Sequence, residues 1–157
     1  VFVTNNMYYS KMTKNKPFCI EHFLPYILTQ AAEAVSAEFQ SYYKEKYGIL
    51  RTEWRVLFHL GSFGQMTARD IGIRTKTHKT KISRAVFRLD KNNLITRTNS
   101  EKDRRIEFLS LTKKGTGVYN DLKNEAELFE EKVSENFSDD EIAVFKRCLE
   151  KIEKQFI

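Results

Sequence analysis

The sequence predicts a mainly α protein with one small β-hairpin. Two observations carry this reading. From Leu24 onward, apolar residues recur every three or four positions through most of the chain. Only residues 94–98 and 106–111 form short β-branched or aromatic-bearing runs, and a polar stretch separates them. A length of 157 residues suits one domain with an appended dimerisation element. Residues 1–23 show no clear period and read as an extension to a domain over 24–157.

The first helix begins near Pro25, a residue suited to an opening turn because its missing N–H would be unpaired there. Leu24, Ile27, Leu28, Ala31, Ala34, Val35, Phe39 and Tyr42 share one face, and the pattern stops at Gly48. Thr52 reads as the N-cap of a second helix carrying Trp54, Leu57, Phe58 and Leu60, ended by Gly61 and Gly64. Thr67 and Asp70 form a capping box that opens a short helix holding Ile71. Another helix starts near His78, with Ile82, Ala85, Val86 and Leu89 in one stripe, and ends at Asn92 and Asn93. The hairpin follows, with a charged tip over residues 99–105 that discourages edge pairing.

Thr112 starts a long helix on which Val118, Leu122, Ala126, Phe129, Val133 and Phe137 line up. Ser138 and Glu141 form a second capping box. In the last helix Ile142, Phe145, Leu149, Ile152 and Phe156 alternate steps of three and four, the seam of helix-to-helix packing. The long terminal helices, about 24–47 and 113–157, have little monomeric core to cover, so a homodimer is expected around a lobe at about 52–112. Burial within one subunit is the alternative.

Charge placement points to a partner. The chain carries a net +6, yet residues 76–105 hold ten basic and three acidic side chains, a net of +7. The remainder sums to about −1, and a positive charge confined to one segment is the footprint of a polyanion site. No apolar run approaches a membrane span, and residues 1–16 lack the apolar core of a signal peptide. Cys19 and Cys148 lie far apart without metal spacing, which fits free thiols in a reducing cytoplasm. No cofactor is expected. His22, His59 and His78 are isolated, and there is no phosphate loop, nucleophile elbow or metal-spaced cluster, so an enzyme is not expected. Asp139, Asp140 and Glu141 read as acids complementing a helix dipole.

The helix from Thr67, its tight connection and the helix from His78 form a helix-turn-helix unit. In that unit the second helix enters the major groove. With Ile82, Ala85, Val86 and Leu89 directed to the core, Lys79, Thr80, Lys81, Ser83, Arg84 and Arg88 fall on the other faces. Arginine and lysine can donate to guanine, and serine and threonine reach bases or phosphates.

Met66 to Ile71, His78 to Val86, Asp103-Arg104-Arg105 and Leu109 to Gly115, in that order and spacing, resemble the core of the multiple antibiotic resistance regulator (MarR) family of winged helix-turn-helix proteins. The resemblance runs from about Leu24 to the C-terminus. It implies a bacterial or archaeal homodimer with interlocked terminal helices, a recognition helix in the major groove of double-stranded DNA at a pseudo-palindromic operator, and a wing arginine in the minor groove. The implied DNA-binding residues are His78, Lys79, Thr80, Lys81, Ser83, Arg84, Asp103, Arg104 and Arg105. Arg105 takes the minor groove and Asp103 orients it, unless the pair is an ordinary hairpin salt bridge. Thr75 and Thr77 stand where the family usually has leucines, Lys76 where the turn often has glycine, and Gly72 replaces a better helix former at a cost of about 1 kcal/mol.

The function expected is a sequence-specific regulator, a repressor released by a small-molecule effector. Relatives commonly bind small aromatic acids between the dimer helices and the DNA-binding lobe, and Tyr26, Trp54 and His59 are the candidate lining residues. Each reads equally as ordinary core. Two alternatives stand beside this. One is a cysteine-based redox sensor at Cys19, disfavoured because Phe23 rather than tyrosine follows one turn on. The other is a winged helix that binds protein, disfavoured by the cationic recognition helix.

Overall fold

The computed structural model describes residues 17–103 and 105–156. The described residues fall into two units, 17–36 and 37–156. In the first, a short 3-10 turn, Ile20–His22, precedes the opening of helix α1, Leu24–Tyr47. Every residue of 17–36 has substantial exposure, including Leu24, Tyr26, Ile27 and Val35, so the expected apolar face is present but uncovered within one chain.

The second unit holds the end of α1, then α2 (Arg51–Phe63), β1 (Met66–Thr67), α3 (Ala68–Arg74), α4 (Lys79–Lys91), β2 (Ile95–Asn99), β3 (Glu107–Leu111), α5 (Lys113–Ser134) and α6 (Asp139–Gln155). The mainly α architecture with a hairpin is therefore as the periodicity predicts. The third strand has no counterpart in that reading. The antiparallel order is β1-β3-β2, with Met66 opposite Leu109, Ile95 opposite Leu111 and Asn99 opposite Glu107. β1 is two residues long, too short to leave an alternating pattern in the sequence.

The core is Val56, Leu57, Ile71, Ile82, Leu89, Leu109 and Leu122 with their neighbours. It draws on α2, α3, α4, the sheet and α5, which is why the helix-turn-helix is held rigidly. Two helix signals resolve differently from expectation. The N-cap of α2 is Leu50 rather than Thr52, with Glu53 accepting the Leu50 N–H at 2.8 Å. Gly61 does not end α2 but lies inside it, and the helix stops at Gly64. A Cβ at Gly61 would sit 2.3 Å from the Tyr119 ring, so Gly61 is where α5 packs closely on α2.

Caps at the other helices follow the sequence. Thr67 Oγ1 accepts the Asp70 N–H at 3.1 Å, and Ser138 Oγ accepts the Glu141 N–H at 3.4 Å. His78 Nδ1 accepts the Thr80 N–H at 3.3 Å and starts α4. No described helix is long and apolar enough to cross a membrane.

Candidate nucleic-acid interface

The turn between α3 and α4 explains the residues that depart from the resemblance. Thr75 caps α3 and its hydroxyl donates to the Ile71 carbonyl at 2.8 Å. Thr77 Oγ1 donates to the Thr75 carbonyl at 3.1 Å, so both threonines replace apolar packing by local hydrogen bonds. Lys76 takes the left-handed backbone, φ 50°, at the point where glycine would be free of strain. A Cβ at Gly72 would meet the Thr77 carbonyl at 3.3 Å, so the glycine that weakens α3 lets the turn fold against it.

On α4 the sequence divides as expected. Ile82, Ala85, Val86 and Leu89 are buried, while Lys79, Thr80, Lys81, Ser83 and Arg84 are exposed, with His78 at the cap. Burying one stripe against α2 and α3 orients the cations outward without any further device. Among the described residues, ion pairs of the basic segment draw on acids outside it, Asp90 excepted. Lys76 pairs with Glu153 at 2.8 Å, Arg88 with Glu53 at 2.9 Å, and Arg97 with Asp90 at 2.9 Å and Glu107 at 3.3 Å. The charge excess read from residues 76–105 is therefore partly offset by carboxylates distant in sequence. Lys79, Lys81 and Arg84 are untouched by these pairs and concentrate the remaining charge on α4.

The wing tip is built around Ser100 and Asp103. Ser100 donates its N–H to the Ile106 carbonyl at 2.9 Å, and its hydroxyl accepts the N–H groups of Lys102 and Asp103. Asp103 Oδ1 accepts the backbone N–H of Arg105 at 2.9 Å. The contact between the two motif residues thus runs through the main chain and shapes the loop, where a side-chain salt bridge was the alternative. Arg105 is exposed, and Arg104 lies outside the described residues. An exposed, amphipathic second helix beside a cationic hairpin tip is the geometry of a winged helix on DNA.

Residues 47–106 match the MarR family. Over that segment the chain is a MarR-family helix-turn-helix, and the curated relatives it matches are transcriptional regulators. The regulator is 28% identical over 101 residues to the uncharacterised HTH-type transcriptional regulator YwoH of Bacillus subtilis, covering 64% of this chain and 73% of that one. It is 24% identical over 123 residues to the homoprotocatechuate degradative operon repressor of Escherichia coli, covering 78% and 82%. Its fold superposes with TM-score 0.80 on BpsR of Bordetella bronchiseptica, at 19% identity, covering 88% and 98% of the two chains. That structure concerns regulation of BpsR's DNA binding by 6-hydroxynicotinic acid.

Of the three candidate effector residues of the regulator, the two that lie in the second unit, Trp54 and His59, are not brought onto one face. Tyr26 is exposed on the first half of α1. Trp54 and His59 are five residues apart on α2, about 140° around the axis. Trp54 lies inside an aromatic ladder: it stacks on Tyr43 with centroids 5.8 Å apart, meets Phe39 at 5.6 Å and Phe58 at 4.8 Å. Phe39 stacks in turn on Phe129 of α5 at 5.1 Å. His59 Nδ1 instead lies 2.8 Å from the Arg55 carbonyl, and its ring tilts against Phe63. The ladder is invisible as a unit in the sequence because its members come from α1, α2 and α5.

Beside the ladder, Lys46 and Tyr47 donate to Asp121 at 2.8 Å each. These bonds hold the Asp121 carboxyl below the usual range and push Lys46 up. Cys19 Sγ–H donates to the Glu21 carboxylate at 2.7 Å, and Cys148 is an exposed thiol.

Proposed function

We propose that the regulator is a cytoplasmic homodimer that represses transcription from a pseudo-palindromic operator and leaves DNA when a small aromatic acid binds. Binding rather than catalysis is its whole activity in this reading. The observation that carries it is the split of α4 into a buried apolar stripe and an exposed face bearing Lys79, Thr80, Lys81, Ser83 and Arg84. Those side chains read the major groove, and Arg105, with Arg104, enters the minor groove. Homodimerisation is supported by apolar residues left open on the last helix: Val144, Phe145 and Leu149 are all exposed although each lies in an amphipathic helix. Such a contiguous stripe is normally covered by a partner.

The effector part rests on the Bordetella protein, whose DNA binding is regulated by an aromatic acid, and on one local feature. Trp54 Nε1 is buried and without a hydrogen-bond partner. A buried N–H left unpaired is costly and is relieved by an acceptor such as a carboxylate. The groove beside the ladder, about 320 Å³, is lined by Glu38, Glu45 and Glu125, with Lys132 paired to Glu38 at 2.9 Å. That lining repels an anion, so the Trp54 edge is the better seat for an acid.

Selection of duplexes from a random pool, followed by titration of the best duplex, tests the proposal. The expected result is enrichment of two inverted half-sites about one helical turn apart. Recovery of unrelated sequences at equal affinity would overturn it.

A further inference from the structure

Glu53 is the buried charged side chain among the described residues, only 3% exposed. A buried carboxylate is costly unless its lone pairs are matched. Both oxygens of Glu53 are. Oε2 accepts the Leu50 N–H at 2.8 Å and fixes the first turn of α2, while Oε1 takes Arg88 Nε at 2.9 Å. Arg88 belongs to α4, one turn beyond Arg84 and two beyond Lys81, so the three cations form one stripe. Its side chain remains 47% exposed, and with Thr52, Lys81 and Arg84 it lines a groove of about 640 Å³ between the start of α2 and α4.

We propose that Glu53 is a positioning residue for DNA recognition: from the start of α2 it aims Arg88 as a third contact of the reading face and sets the rotation of α4. The inference rests on the proposed DNA-reading role of α4. An ion pair with one buried and one half-exposed partner adds little to stability, which leaves the orientation of Arg88 as what it supplies. A guanidinium has five N–H donors, and the bond to Oε1 uses one of them. The fixed fork then presents the rest to a phosphate in one orientation, which lysine cannot do. The carboxylate also mutes Arg88 as a free charge, so Arg88 adds little to attraction for any DNA and more to a docked one.

The test measures affinity for the selected duplex and for a scrambled one, with thermal unfolding as a control. Glu53→Gln is the informative variant, because the amide oxygen keeps the cap on Leu50 while the negative charge that holds Arg88 is lost. The ratio of selected to scrambled affinity should fall about tenfold, through weaker specific binding, with the unfolding midpoint little changed. Arg88→Lys should reproduce that loss, and the double variant should be no worse than either single one, because both remove the same Glu53-held guanidinium fork. An unchanged ratio overturns the proposal. So does an equal fall in both affinities that tracks a lowered midpoint, which marks a brace of the fold only. A wild-type protein with no preference for the selected duplex defeats the DNA-reading role of α4 first, and this inference with it.

Discussion

The carboxylate of Asp103 accepts the backbone N–H of Arg105 at 2.9 Å, so the two residues of the wing motif are joined through the main chain. The loop conformation, rather than a held guanidinium, is what Asp103 supplies. Arg105→Ala should therefore weaken binding to selected and scrambled DNA alike. It should also flatten the log–log salt dependence by roughly 0.9 for each phosphate that is no longer neutralised, counted twice in a dimer. A salt titration checks it, and an unchanged slope would reduce Arg105 to a loop residue.

The dimer is tested on the last helix. Leu149 is 38% exposed in one chain and belongs to the stripe with Phe145. Leu149→Glu should shift sedimentation at micromolar concentration from dimer to monomer and weaken operator binding in step, because two half-sites need two subunits. A dimer that survives the change places the interface elsewhere.

Close packing makes a stability prediction. Gly61→Ala puts a methyl 2.3 Å from the Tyr119 ring, so either the ring or α5 must move. The variant should lose about 1–3 kcal/mol in urea unfolding, the cost of overpacking a filled site. Wild-type stability would show that Tyr119 swings away freely.

Much of the fold is legible in the sequence, and the reason is local. Thr67 with Asp70, Ser138 with Glu141 and the stripe of α4 are patterns within one or two turns, and each forms where the sequence places it. What escapes depends on pairs remote in sequence. The close approach at Gly61 needs Tyr119, the Arg97 and Lys76 ion pairs need Glu107 and Glu153, and β1 exists only because β3 is beside it. Arg88 is visible as an outward cation, but nothing near it in the chain announces Glu53.

Asp121 gives the pH dependence a direction. Its pKa in the folded protein is lowered by hydrogen bonds from Lys46 and then Tyr47. A carboxylate so depressed contributes stability above its unfolded pKa, about 4, and loses it as pH falls through the lower folded value. Wild type should lose urea resistance below about pH 4 more steeply than Asp121→Asn, which has no such proton to take up. Parallel curves would remove Asp121 from the account.

The chain has one tryptophan, Trp54, so its fluorescence reports on the proposed effector seat. Adding a small aromatic acid to the DNA complex should change that emission over the same concentration range that releases DNA. Release without any change in emission would move the effector away from Trp54. Release by peroxide that vanishes in Cys19→Ser would favour oxidation over a ligand.

The most direct measurement of the central claim, that α4 reads base sequence, is the affinity of Arg84→Ala on the selected duplex and on scrambled DNA at one salt concentration. Arg84 is exposed on α4 and stands apart from the acid pairs that engage Arg88 and Arg97. The account predicts a loss of about 1–3 kcal/mol on the selected duplex, a much smaller loss on the scrambled one, and relaxed preference at one or two positions in each half-site. An equal loss on both duplexes would contradict it, because Arg84 would then be only a charge against the backbone.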